Sequence, residues 1–140
     1  MTNCLFCRIV AGELRASRVF EDAWTLAFMD LRQTNAGHVL VLPKAHVETL
    51  DALPPELAGP LMRATVRVTG AVNSCFKPDG VNVWQSNGEA AGQEVPHVHL
   101  HVFPRYADDG HFRIYPGRAP NADRSLLDGL AERLRASLDG

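Results

Sequence analysis

Three histidines alternate with apolar residues in His97-Val98-His99-Leu100-His101-Val102-Phe103, and no other stretch restricts the fold as strongly. Period-two alternation is the pattern of a β-strand, whose successive side chains point to opposite faces. All three imidazoles then project from one face, about 6.7 Å from neighbour to neighbour, while Val98, Leu100 and Val102 line the other. A strand face meant only for solvent is usually filled with Thr, Lys or Glu. Imidazole titrates near neutrality and serves as metal ligand, nucleophile or proton carrier. The pattern therefore points to chemistry carried on a sheet, and it leaves open whether the rings act as ligands, as a nucleophile with helpers, or as a mixture.

The rest of that sheet is legible in the flanking sequence. Arg18 to Glu21 and Trp24 to Met29 read as a hairpin around Asp22-Ala23. His38 to Pro43 reads as a buried strand stopped by proline, which has no N–H for the ladder. Val81 to Ser86, with Val81 and Val83 as its apolar positions, and His97 to Phe103 complete five strands. Cys4 to Glu13 reads as a short helix ending near Gly12. Leu57, Leu61, Val68, Val72 and Phe76 recur at helical spacing, and Met62 and Val66 add a second stripe on an adjacent face. Two apolar faces need two things to cover them, so the second stripe predicts a homodimer contact, the alternative being cover by the Ala107 to Asn121 segment or the terminal helix of the same chain. Pro60 removes a donor inside this segment and predicts a late start or a kink. Leu127, Leu130, Leu134 and Leu138 define an amphipathic terminal helix, and Asn87 to Gln93 and Ala107 to Asn121 read as loops. Strands and helices without βαβ alternation argue for an α+β fold on a five-stranded antiparallel sheet, with one long helix, a short N-terminal helix and a C-terminal helix. The 140 residues make a single domain, in which 107–140 is a less distinctive extension.

Charge and cysteine content narrow the function. Fourteen Lys and Arg against sixteen Asp and Glu, without runs, offer no basic field for a nucleic-acid backbone. No stretch is long and apolar enough for a membrane span, and the start lacks the hydrophobic core of a secretion signal. A cytoplasmic protein is expected. Three cysteines cannot all pair, and Cys4 and Cys7 are too close to staple anything large, which leaves thiols free for metal. Cys75, inside the long helical pattern, is expected to be a small buried hydrophobe. In Asn87-Gly88-Glu89-Ala90-Ala91-Gly92-Gln93 small residues would let backbone N–H groups approach an anion, although such residues also simply make turns. Walker A, GxGxxG and GxSxG patterns are absent from the sequence.

Together these residues resemble the histidine triad family of nucleotide hydrolases and transferases. His97 to Phe103 matches its His-φ-His-φ-His-φ-φ signature. Cys4-Leu5-Phe6-Cys7 with Ala11-Gly12-Glu13, then Gly37 to His46, then Asn87 to Gln93, follow in the family's order, so that residues 3 to about 106 are covered. The resemblance implies that His99 attacks the α-phosphorus of a purine nucleotide to form a nucleotidyl-histidine, with its second ring nitrogen held by a backbone carbonyl. It places His101 and His38 beside the phosphate, Asp30 and Leu31 at the ribose and base, and Asn87, Gly92, Gln93 and Glu94 around the phosphates. Many relatives carry a hydroxyl residue at the last of these positions, and a carboxylate there would repel phosphate unless it points away. It implies a structural zinc held by Cys4, Cys7, His46 and His97, as in zinc-bearing relatives, with a redox Cys-x-x-Cys pair as the competing reading. It also implies a homodimer. The leaving group, an amine, an acyl group or a polyphosphate, stays open, as do two other functions: a slow nucleotide-binding or scaffold protein, and a zinc hydrolase using His97, His99 and His101 as ligands.

Overall fold

The computed structural model describes residues 3–111 and 117–139, so part of the predicted loop from Ala107 to Asn121 lies outside the described residues. Cys4 starts the chain's first helix by capping it: its Sγ accepts the Cys7 N–H at 3.4 Å. The helix, α1, runs Leu5–Val10. It is shorter than the predicted Cys4 to Glu13, because the backbone turns at Gly12, whose φ of +80° is left-handed and suits glycine.

Strands β1 (Arg18–Glu21) and β2 (Thr25–Met29) form the predicted antiparallel hairpin, with β3 (Val39–Pro43) next to β2. Asp22 Oδ1 makes the hairpin turn by accepting the N–H groups of Trp24 and Thr25 at 2.8 and 2.7 Å, so Trp24 belongs to the turn and not to the strand. Helix α2 spans Pro55–Phe76 and is followed by β4 (Gly80–Gln85) and β5 (Leu100–Arg105). The order across the antiparallel sheet is β1-β2-β3-β5-β4. Helix α3 spans Arg124–Asp139. The chain divides into two compact units, Met1–Asp109 and Gly110–Gly140, and α3 is the regular element of the second.

Strands β2 and β3 are buried on both faces, which is why their sequence is nearly unbroken apolar. Ala27, Val39, Val41, Val98, Leu100 and Val102 face α2, where Leu61, Ala64, Val68 and Val72 complete one core cluster. Leu26, Phe28, Leu40 and Leu42 face the opposite way and pack with Cys4, Phe6 and Ile9 of the α1 region. Burying a side chain such as Leu26 or Leu42, both fully buried, contributes roughly 1.5–3 kcal/mol.

Four expectations need correction. The helix α2 neither starts late nor breaks at Pro60: it begins at Pro55, before the first predicted apolar position. Pro60 sits near the helix start, where the lost N–H would have bonded only a first-turn carbonyl. Strand β5 begins at Leu100, so His97 and His99 lie just before the ladder, in chain tied down by the Val98 N–H to the Val47 carbonyl at 2.7 Å. It also runs on through Pro104, whose carbonyl accepts from Asn35 Nδ2 at 2.9 Å, so the side that lacks a donor faces a loop and not the β4 ladder. Val83 is exposed on β4, the last strand on its side of the sheet among the described residues, and Cys75 is exposed too, in the last turn of α2 beyond the buried run that ends at Val72.

Candidate functional site

The three alternating histidines keep to the sheet face opposite α2 but divide between two clusters. His97 is fully buried and joins the two cysteines, with its Nδ1 3.4 Å from Cys4 Sγ and 3.6 Å from Cys7 Sγ. His46 Nδ1 lies 3.3 Å from Cys7 Sγ, and one donor atom from each of the four residues falls within 4.8 Å of the others. Tetrahedral zinc with bonds of about 2.3 Å to sulfur and about 2.0–2.1 Å to nitrogen puts neighbouring S and N donors about 3.6 Å apart. The donor set and its spacing therefore fit zinc. The tautomer fits as well: His97 Nε2 is 2.8 Å from the Pro43 carbonyl, which can only accept, so Nε2 carries the hydrogen and Nδ1 is left as the ligand atom. Burial first, then the neighbouring Cys4, pushes the Cys7 thiol up, so a thiolate here needs a compensating cation.

His99 stands between that cluster and the second one. Its Nδ1 is 2.7 Å from the backbone carbonyl of His97, so this nitrogen donates and Nε2 keeps its lone pair. Phe6 meets the His97 and His99 rings edge-on, with centroids 5.9 and 5.0 Å away, and holds both rings from the α1 side. Burial pushes His99 below the usual histidine range, opposed by its bond to the His97 carbonyl and by the charges of Asp30 and Glu94.

His101 and His38 share a 2.9 Å contact between His101 Nδ1 and His38 Nε2. Burial, then the neighbouring His99 and His38, pushes His101 down to about 4, and His38 is lowered mainly by burial. Trp84 of β4 is the cross-strand partner of His101 and lies flat on it, with 4.3 Å between centroids and 4° between planes. Sequence reasoning missed Trp84. Its signal was the period-two alternation that makes Val81 and Val83 the apolar positions of this strand, because Trp84 then falls on the opposite face, where it meets His101.

Asp30 and His38 are brought together by the turn between β2 and β3. The Asp30 N–H donates to the His38 carbonyl at 3.0 Å, and Gln33 braces the turn, with Oε1 accepting from Gly37 N at 2.8 Å and Nε2 donating to the Asp30 and His38 carbonyls. Gly37 has φ of +112°, and a Cβ there would stand 2.8 Å from the Phe76 ring, so neither its conformation nor its space suits a side chain. Asp30 Oδ1 accepts the Arg32 N–H at 2.7 Å, and Oδ2 lies 3.8 Å from His38 Nε2. Leu31 is 98% exposed and forms no wall of a pocket here.

The segment from Asn87 to Gln93 is a braced turn in which several N–H groups are bonded within the turn. Gly88 N donates to Gln93 Oε1 at 2.7 Å, and the N–H groups of Ala91, Gly92 and Gln93 bond to carbonyls within the turn. Gly92 adopts left-handed φ of +88°. The Gln93 amide also donates to the Glu48 carbonyl at 2.7 Å, and Asn87 Oδ1 accepts from Leu50 N at 2.7 Å, so both side chains hold the turn against the segment after β3. Glu94 is exposed and lies 3.8 Å from Arg32 in a solvent-screened pair.

Residues 11–108 match the family model described as HIT domain. A solved HIT family protein of Bacillus subtilis superimposes with a TM-score of 0.90 at 36% identity, covering 96% of each chain. A Zn-bound histidine triad family protein of Mycobacterium smegmatis gives 0.73 at 36% identity, covering 99% of this chain and 96% of that one. The adenosine 5'-monophosphoramidase of Saccharomyces cerevisiae is 35% identical over 137 residues, 98% of this chain and 84% of its own.

Proposed function

Because the chain belongs to the HIT domain family, we propose that it is a hydrolase of purine nucleoside 5'-phosphate derivatives that works through a covalent nucleotidyl-histidine at His99. The observation that carries this is the 2.7 Å contact of His99 Nδ1 with the His97 carbonyl, which leaves an unprotonated Nε2 with a fixed direction. That nitrogen attacks the α-phosphorus, and the bond from phosphorus to the leaving amine or polyphosphate breaks in line. The leaving group takes a proton relayed from solvent by the His38 and His101 pair, and the water that attacks next returns a proton along the same pair. Water then opens the phosphorus–nitrogen bond, returning neutral His99 and a nucleoside 5'-monophosphate. Asp30 is assigned to the ribose hydroxyls and Leu31 to the base. Asn87, Gly92, Gln93 and Glu94 are assigned to the phosphate end. There Asn87 and Gln93 act by holding the turn, and Glu94 contributes its backbone N–H while Arg32 offsets the charge of its carboxylate.

Cys4, Cys7, His46 and His97 would hold zinc, which supplies a structural cross-link between α1 and the sheet and takes no part in the reaction. The thiolates this requires support a reducing, cytoplasmic setting. The monophosphoramidase among the relatives supports phosphoramidate as the first substrate to try. Incubating the protein with an adenosine phosphoramidate and with diadenosine polyphosphates side by side tests the proposal. Release of AMP from one of them by wild type, and none by His99→Ala, is the expected result. Equal release by His99→Ala contradicts it.

A further inference from the structure

Asp30, His38 and His101 form a second cluster of donors, apart from the cysteines. One ligand atom from each lies within 4.8 Å of the other two. His38 Nε2 and His101 Nδ1 are 2.9 Å apart, and Asp30 Oδ2 is 3.8 Å from the same His38 nitrogen. Two neighbours aim these atoms. The Arg32 N–H occupies Asp30 Oδ1, so Oδ2 is the oxygen turned toward the imidazoles. Trp84, lying flat on His101, sets the plane of that ring. Tetrahedral metal bonds of about 2.0–2.2 Å bring neighbouring N and O donors about 3.3–3.6 Å apart, so a small closure of Asp30 and a parting of the two rings by about half an ångström are enough.

We propose that Asp30, His38 and His101 bind a divalent transition-metal ion reversibly, and that this ion and the nucleotide exclude one another. Two imidazoles with one carboxylate select zinc, cobalt, nickel or copper over magnesium or calcium, which prefer oxygen. Binding consumes the shared N–H···N bond: the ring that donates it moves its hydrogen to its other nitrogen, and both facing lone pairs turn to the ion, so no proton is released. The ion then ties up the carboxylate assigned to the ribose and the pair assigned to the leaving-group proton. The mutual exclusion rests on the proposed nucleotide site, whereas the ion site itself does not.

Cobalt(II) titration of the wild-type protein, followed by equilibrium dialysis and visible absorption, tests both halves. Wild type should take up one equivalent more than Asp30→Asn and than His101→Ala, while circular dichroism of the variants stays native, and AMP should release that equivalent from wild type. Equal uptake by wild type and both variants overturns the ion site. An ion retained at saturating bound AMP overturns the exclusion. If AMP does not bind at all, the nucleotide proposal fails, and the difference between wild type and the variants still decides the ion site.

Discussion

At His99 a backbone oxygen decides which ring nitrogen is reactive, and that oxygen belongs to His97, the residue whose own ring faces the two cysteines. The proposed metal site and the proposed nucleophile are therefore joined through one residue. Burial pushes His38, His97 and His99 below the usual histidine range and His101 to about 4. Each takes up protons more readily unfolded, where the value is about 6.5. Between about pH 6.5 and about 4 the unfolded chain thus binds more protons, so the stability these rings contribute is full above about 6.5 and is lost as the pH falls toward 4. Urea midpoints should fall from pH 7.5 to pH 5, and a midpoint that holds or rises over that interval contradicts the burial of these rings. At this scale the alternation of the three histidines and the pairing of Cys4 with Cys7 were legible, because spacing alone carries them. The His97 and Pro43 carbonyls were not, since a backbone oxygen has no sequence signature, and the exposure of Cys75 depends on how far the sheet reaches along α2.

Among the elements, α1 and the turn before β3 do the positioning. Helix α1 is only six residues long, too short to be stable alone, and it is fixed by Phe6 and Ile9 in the core and by Cys4 and Cys7 at the proposed metal site. Cys4→Ser should lower the zinc content of purified protein and its melting temperature together. Full zinc content in that variant contradicts the ligand set. The turn before β3 depends on Gly37, where a methyl group meets both Phe76 and an unfavourable φ. Gly37→Ala should destabilise by on the order of 3 kcal/mol, read as a lower denaturant midpoint at an unchanged slope. A loss under about 1 kcal/mol contradicts the close packing seen there. Strand and helix identities were legible from periodicity, and their ends were set by features it does not report: Asp22 claiming the N–H of Trp24, Gly12 ending α1, and the chain before Leu100 bonding to Val47 instead of joining the ladder.

For the whole molecule, Met62 and Val66 of α2 are 54% and 63% exposed, and β4 is the last strand on its side of the sheet among the described residues, with Val83 exposed on it. A two-fold contact through this side would bury the stripe and cover the edge at once, and we propose that a second copy does so. Light scattering should give twice the 15.3 kDa of one chain, halved in the double variant Met62→Glu with Val66→Glu. A mass of one chain for wild type at micromolar concentration contradicts it. The central claim is the covalent step at His99, and intact-protein mass spectrometry after acid or rapid quenching with an adenosine phosphoramidate tests it most directly. The account predicts a transient gain of one adenylyl group, mapped to His99 and absent in His99→Ala. Turnover without any adduct under those conditions, or an adduct on His97, His101 or His38, would contradict it.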